Sequence, residues 1–400
     1  MNILCLMGLF PKEYEKEILN DSLSGMQNAA NKLQWAIVDG LSCQDSVRID
    51  VLNSLYIGAY PRKYKKMSIP SFAFHVKEDI CGENVGFLNL PFVKYLSKYQ
   101  SLKSKIDQWI TETDGEKVIL AYALTSPFAE LLHYVKTKYP NVKCVLFVPD
   151  LPEYMDVNNK SFIYRVLKKS HASHLKKNIR EIDGYVFLTD YMKEWFDRDV
   201  RYTVVEGIYG GSAVSEEDCS AREKVVLYAG GLCEEYGISE LVDSFKRMRL
   251  DGWKLELIGD GPLLPKLKQM ACEENWLSVR GILPNSEVLK RQRQVSVLVN
   301  PRRGGQVFTK YSFPSKTIEY MSSGTPMIGY RLQGIPDEYY QYIYEASLEN
   351  DGLANCLNKV MKLSEQERTA LGIRARSFIL QEKNAAKQCT KIIRLIKDII

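Results

Sequence analysis

Ten runs of β-forming apolar residues, each five to eight residues long, recur along this chain with longer stretches between them. They are residues 2–9, 47–53, 117–124, 142–148, 185–189 and 202–207, then 224–230, 254–259, 295–300 and 326–330. Apart from one lysine each, runs such as KVILAYAL and VKCVLFV are apolar at consecutive positions rather than at every second residue. That pattern belongs to parallel strands covered on both faces. Amphipathic helix patterns fill the gaps, over 22–40, 90–112, 127–138, 161–182, 237–249, 262–275 and 351–363, with a final one near 382–398. Strands alternating with helices predict an α/β protein of doubly wound parallel sheets. The stretch IYGGSAVSEEDCSAR (208–222) is small, polar and Gly-rich, and divides the strand runs into two series. The expected organisation is an N-terminal domain over 1–207, a linker over 208–222 and a C-terminal domain over 223–381. The last segment, 382–400, is expected to return to the N-terminal domain. Its isoleucines and leucine at 392, 393, 395, 396, 399 and 400 fall at helical spacing.

A chain of 400 residues is too long for one ordinary core, which agrees with two domains. The net charge of +5 is too small to argue for nucleic acid, and no aromatic or basic module accompanies the charges. Nine scattered cysteines with no C-x-x-C suit reduced thiols in a cytoplasmic setting. No run reaches the roughly 18 apolar residues of a membrane span, and the apolar start reads as a first strand rather than a signal peptide.

In doubly wound sheets, ligands bind beyond the carboxyl ends of the strands, where helices begin. The stretch Tyr311–Tyr330, YSFPSKTIEYMSSGTPMIGY, is built for such a place. Pro314 is expected in the first turn of a short helix, and Gly324 and Pro326 stop it before the next strand. Lys316 then adds positive charge to a helix end that is already positive, an arrangement that only a bound anion makes favourable. Glu319 can accept two hydroxyl hydrogen bonds, as from a ribose diol. Spacing alone equally admits a surface helix with one lysine and one glutamate in water.

The motif F-P-S-K-T-I-E-Y resembles the nucleotide-sugar motif of family 4 glycosyltransferases, in the version with P-S-K before the glutamate. Val226–Leu232 with Tyr236-Gly237-Ile238 is similar to that family's strand, glycine loop and helix. Leu255–Pro262, Val279–Leu283 and Glu206-Gly207-Ile208 resemble further family segments, so the likeness is dense over about 202–335. It implies a GT-B fold of two Rossmann-like domains facing a cleft. It also implies a retaining hexosyl transfer from a nucleoside diphosphate sugar, UDP first, with no metal and no other cofactor. The acceptor implied is a glycan, lipid-linked or glycoprotein hydroxyl in bacterial surface polysaccharide or glycoprotein assembly. By the same resemblance Glu319 holds the ribose. Ser315, Lys316 and the amides of Gly230 and Gly231 hold the diphosphate, and the backbone at Gly281 and Ile282 meets the base.

The chain also departs from that pattern. Two positions where the family often carries diphosphate cations are Gly231 and Tyr236, leaving Lys316 with Arg302 or Arg303 as replacements. Tyr311 stands where a first glutamate is usual. No histidine follows the 117–124 strand, and His75, His133, His171 and His174 do not lie at a matching strand end. Asp150, just after 142–148, falls at an acidic position of the family; it either orients an acceptor or donor hydroxyl or caps its own loop. Asp197-Arg198-Asp199 reads as a solvated helix end before it reads as a metal site. Arg165, Lys168, Lys169, Lys176, Lys177 and Arg180 make segment 161–182 a basic amphipathic helix, which fits either an anionic membrane surface or an ordinary solvated face. Two other functions compete with sugar transfer. One is a GT-B nucleotide-sugar epimerase or hydrolase, and the other is a non-catalytic glycosyltransferase-like subunit.

Overall fold

The computed structural model describes residues 1–24, 27–77, 80–154, 162–211, 222–248, 250–305 and 307–400. The chain divides into two compact units, Met1–Gly210 with Asn384–Ile400, and Gly211–Lys383. The sequence placed these boundaries at 207/208 and 381/382. The unit border therefore falls inside the polar segment 208–222, and the return begins two residues later than expected.

The strands of the first unit are β1 (Asn2–Met7), β2 (Arg48–Asn53), β3 (Ser68–Ile69), β4 (Phe72–Lys77), β5 (Ile80–Asn84), β6 (Phe87–Leu88), β7 (Lys117–Tyr122), β8 (Lys143–Val148), β9 (Gly184–Phe187) and β10 (Tyr202–Val204). Its helices are α1 (Glu15–Asp21), α2 (Asn28–Ser42), α3 (Val93–Glu112), α4 (Ser126–Lys138) and α5 (Phe162–Asn178). The second unit has β11 (Glu223–Ala229), β12 (Lys254–Ile258), β13 (Leu277–Gly281), β14 (Val295–Asn300), β15 (Met327–Tyr330) and β16 (Tyr344–Ala346). Around them lie α6 (Ile238–Met248), α7 (Leu264–Glu273), α8 (Asn285–Gln294), α9 (Ser315–Ser322), α10 (Gly352–Lys362) and α11 (Glu365–Glu382). The last helix, α12 (Ala385–Ile399), belongs to the first unit.

The first sheet runs β10-β9-β8-β7-β1-β2-β5-β4, parallel except for the β4–β5 pair. The second runs β13-β12-β11-β14-β15-β16 and is parallel throughout. The apolar runs are buried along their length: Leu4–Met7, Val118–Tyr122, Cys144–Val148 and Val295–Asn300 all lie inside. β4 is different. Phe74 and Val76 are buried while His75 and Lys77 face out, as on an antiparallel edge strand. A reading tuned to continuous apolar runs passes over it.

The helix expected over 22–40 is α2 and starts later, at Asn28; a separate short helix, α1, precedes the expected range and ends where Ser22 turns to extended backbone (ψ 129°). α11 was not foreseen, since its apolar residues do not gather on one face. Its start is nonetheless written in the sequence: Ser364 accepts from the Glu367 amide, and the Glu367 carboxylate receives the Ser364 amide. α12 buries Cys389, Ile392, Ile393, Leu395, Ile396 and Ile399 in the core beneath the first sheet. It lies so close to α2 that a Cβ on Gly40 would stand 2.3 Å from the Ala385 carbonyl oxygen.

Candidate functional site

Strand order reverses between β11 and β14 in the second sheet and between β1 and β7 in the first. Such reversal points leave a crevice at the carboxyl ends of the two diverging strands, the usual ligand position in this architecture.

In the second unit, Gly230 follows β11 and Arg302 follows β14. α9 is anchored over this point by Tyr320, whose ring is fully buried. Its hydroxyl accepts from the Ala229 amide at 2.9 Å and donates to the Ala229 carbonyl at 3.2 Å. Lys316 lies one turn nearer the helix N-terminus, so its chain is laid across Gly230. A Cβ at Gly230 would come within 2.7 Å of Lys316 Cε and 2.6 Å of Tyr228 Oη. A side chain here would force Lys316 or Tyr228 to move aside. Gly259 is needed: with φ +143°, a Cβ there would lie 1.8 Å from the Gly230 carbonyl oxygen.

Two expectations are corrected at this site. The Gly230 amide is not available to an anion, because it donates to the Ile258 carbonyl at 2.8 Å and so continues the β11–β12 ladder. Arg303 is no substitute diphosphate cation: its guanidinium is held by Glu240 through contacts of 2.7 and 2.5 Å. Arg302 instead stacks on Tyr236, 5.6 Å from the ring centroid, and burial lowers its pKa from the ordinary arginine value. A guanidinium from the loop after β14 thus stands over the ring at position 236, where the resemblance led to the expectation of a cation.

Glu319 accepts a 2.7 Å hydrogen bond from Gln292, a side chain with no solvent exposure. One carboxylate oxygen is thereby oriented. Pro314 occupies the N-cap position rather than the first turn, and Ser315 opens the helix with an exposed side chain. The Thr317 amide closes onto the Pro314 carbonyl at 2.8 Å. At the end of β13, Gly281 has φ +68° and Ile282 is 74% exposed. Tyr311 is half-buried, with the Lys310 ammonium 5.5 Å from its ring centroid. Tyr228, Gln292 and Tyr320 were not foreseen. Only Tyr320 had a local signal, its place directly after Glu319.

In the first unit, a pocket opens where β1 and β7 part, bounded by Gly8 and Phe10, by Tyr122–Thr125, and by Pro149 and Asp150 after β8. The loop after β1 is tied down by α2. The Gly8 amide donates to Gln34 and the Phe10 amide to Asn31, each at 2.7 Å, and Trp35 donates to the Phe10 carbonyl at 3.0 Å. Asp150 is the only charged side chain on the described walls. Its tip reaches solvent, but the surrounding groups remove enough water to push its pKa up to about 6. Burial raises the Tyr122 hydroxyl as well, with the Asp150 charge adding to the effect.

The histidines find other partners. His75 pairs with Glu13 and His174 with Glu130, whereas His171 lies 2.5 Å from Ser126 in the first turn of α4, next to Thr125 of the pocket wall. Asp197 pairs with Lys176 at 3.2 Å, and that lysine also stands over Trp195. The side chains of residues 162–169 lie outside the described ones, so of the basic segment only Lys176, Lys177 and Arg180 are placed. α5 ends at Asn178 rather than 182. No helix among the described residues is long and apolar enough to cross a membrane.

Three likenesses bear on this geometry. An exopolysaccharide phosphotransferase of Streptomyces coelicolor is 23% identical over 190 residues, which cover 46% of this chain and 19% of that protein. The N-acetyl-alpha-D-glucosaminyl L-malate synthase of Bacillus anthracis is 25% identical over 195 residues, 46% of this chain and 48% of the relative. The chain thus spans about a fifth and about half of these two curated relatives. Among solved structures, the E. coli trehalose-6-phosphate structure bound with UDP-2-fluoro glucose superposes with a TM-score of 0.66 at 9% identity, covering 100% of this chain and 99% of that one. The chain therefore has the GT-B fold. Residues 223–362, which hold every site feature of the second unit, match the family Glycosyl transferases group 1.

Proposed function

We propose that this chain is a retaining glycosyltransferase that moves a hexose-type sugar from a nucleoside diphosphate donor, UDP first, to a hydroxyl of a glycan, lipid-linked or glycoprotein acceptor. The observation that carries the proposal is Lys316 laid across Gly230 at the strand reversal, one turn from a glutamate oriented by Gln292. The group 1 match over the same residues and the UDP-sugar held by the E. coli neighbour support it.

In the reaction the bond between the anomeric carbon and the diphosphate oxygen breaks, and the electron pair leaves with the diphosphate. Lys316, Arg302 and the N-terminus of α9 would oppose that growing charge, a task that preorganised dipoles and cations perform well in a site poor in water. Glu319 would take the ribose diol, and Ile282 with the Gly281 backbone would meet the base. Asp150 would orient the acceptor hydroxyl or accept its proton. A carboxylate with a pKa near 6 is still mostly ionised at pH 7 and is more basic than an ordinary one.

The test is calorimetry with UDP. Glu319→Ala should weaken UDP by about 1.5–3 kcal/mol, the range for hydrogen bonds to a charged group. Unchanged affinity removes the ribose assignment. Transfer from UDP-sugars should persist in EDTA, because protein cations oppose the diphosphate charge; loss that magnesium or manganese restores would overturn that part of the mechanism.

A further inference from the structure

Thirteen large apolar side chains are exposed among the described residues, and six of them fall in one region of the first unit. Leu23, Met67, Leu88, Phe92, Val93 and Leu96 are its members. Phe92 is 100% exposed and precedes α3 with φ +65°, a backbone conformation that a phenylalanine rarely adopts. Leu96 is one helical turn further on and 57% exposed. Backbone contacts join the pieces. The Leu88 amide donates to Ser97 Oγ, the Asn89 amide to the Met67 carbonyl, and the Leu23 amide to the Lys63 carbonyl. Outside this region exposed apolar residues occur one at a time, which needs no explanation; a group of this size does.

Charge accompanies the apolar group. Segments 54–70 and 85–106 each carry four lysines or arginines and no aspartate or glutamate. Lys66 is neutralised by Glu17 and Asp21, Lys103 pairs with Asp107, Lys105 pairs with Glu83 and Lys98 is buried, so the exposed basic rim is Arg62, Lys63 and Lys65.

We propose that this face, with Phe92 and Leu96 as its inserting side chains, docks the protein on an anionic lipid bilayer. A ring with no protein atom covering it fits a fluid interface better than a preformed protein pocket. The rim of Arg62, Lys63 and Lys65 complements anionic headgroups, and apolar insertion with basic attraction is the pairing that interfacial binding needs. The site is separate from α5 and independent of the glycosyltransferase reading.

Co-sedimentation of the full chain with phosphatidylglycerol-containing and pure phosphatidylcholine vesicles tests this. The wild type should bind the anionic vesicles and not the neutral ones. Phe92→Ser with Leu96→Ser, and separately Arg62→Gln with Lys63→Gln and Lys65→Gln, should each reduce binding at least tenfold without lowering the Tm. Lys176→Glu with Lys177→Glu should leave it unchanged. In Phe92→Trp, anionic vesicles should shift the added emission to the blue. The proposal fails if the wild type does not bind, if the Phe92 and Leu96 variant binds equally well, or if only the α5 reversal matters. It also fails if sedimentation without lipid shows a wild-type dimer that the Phe92 and Leu96 variant dissolves, which would make the face a contact between copies.

Discussion

Both units place a pocket or loop site where strand order reverses, yet they equip those places with opposite chemistry. In the first unit the charged group is a carboxyl, Asp150, which shares the pocket wall with Phe10, Tyr122 and Leu124, reaches solvent, and is raised in pKa by partial loss of water. In the second the groups are Lys316, in the first turn of α9, and Arg302, over the Tyr236 ring, with burial lowering the arginine. The same topology therefore fixes where a ligand sits and leaves its charge to a few loop residues. A base suits a neutral hydroxyl that must lose a proton; a pair of cations suits a diphosphate. The units also differ in how they are closed. The first is completed by a helix from the far end of the chain, and the second is built from one continuous stretch.

That last difference gives the largest effect. Ending the chain at Lys383 removes Ile392, Ile393, Leu395, Ile396 and Ile399 from the first core. At about 1.5–3 kcal/mol for each buried aliphatic side chain, the loss is on the order of 10 kcal/mol, comparable with the whole stability of a domain. The first unit should unfold while the second still binds UDP, seen as loss of one of two calorimetric transitions. Retention of both transitions would mean that α12 is dispensable to the first unit.

Asp150→Asn should reduce transfer by roughly 10²–10⁴, the usual contribution of a positioned base, while UDP affinity stays at the wild-type value. Wild-type kcat/KM should fall on the acid side of about pH 6, as the carboxyl takes up its proton, and Asp150→Asn should abolish that limb. A variant that loses UDP binding instead would place Asp150 among the donor contacts and erase the contrast between the units.

Lys316→Ala should slow transfer by about 10²–10³, the cost of removing one preorganised donor to a developing anion. It should also weaken UDP more than uridine, since uridine has no diphosphate. Equal loss for both ligands would show a structural role over Gly230.

The smallest effect concerns stability. The folded protein raises the pKa of Asp150 above its unfolded value, so the folded state favours the protonated form. The associated stability is present below the unfolded pKa near 3.8 and is lost as pH rises through about 6. Asp150→Asn should therefore raise the Tm at pH 8 and leave it nearly unchanged at pH 4. A lower Tm at pH 8 would show that the charged carboxylate is held by favourable contacts rather than merely deprived of water.

Much of this protein was present in its order of residues. Parallel strands were legible because burial on both faces leaves runs such as VILAY in β7 and VSVLV in β14 without the alternation of polar and apolar residues that a one-sided strand shows. The short helix after Pro314 was legible because its stop, Gly324 with φ +76°, is a local requirement of the backbone. The Lys316 and Glu319 pair stood out because it conflicts with an isolated helix and calls for a ligand. Structure written by contacts distant in sequence was not legible. β4 shows its alternation only against β5, and α11 lacks a one-sided apolar face.

At the sites themselves, sequence determined which residues stand at strand ends, since a strand's end and a helix's beginning are local events. Tertiary structure decided which of their atoms are free to act. The Gly230 amide is spent on Ile258 because β12 lies beside β11, and Arg303 is spent on Glu240 because α6 lies beside the loop after β14. Arg302 reaches the ring of Tyr236, and Gln292 reaches Glu319, across separations of 66 and 27 residues. Hydrogen bonds and ring contacts are satisfied by whatever the fold brings within a few ångströms, and a linear sequence carries no measure of that distance.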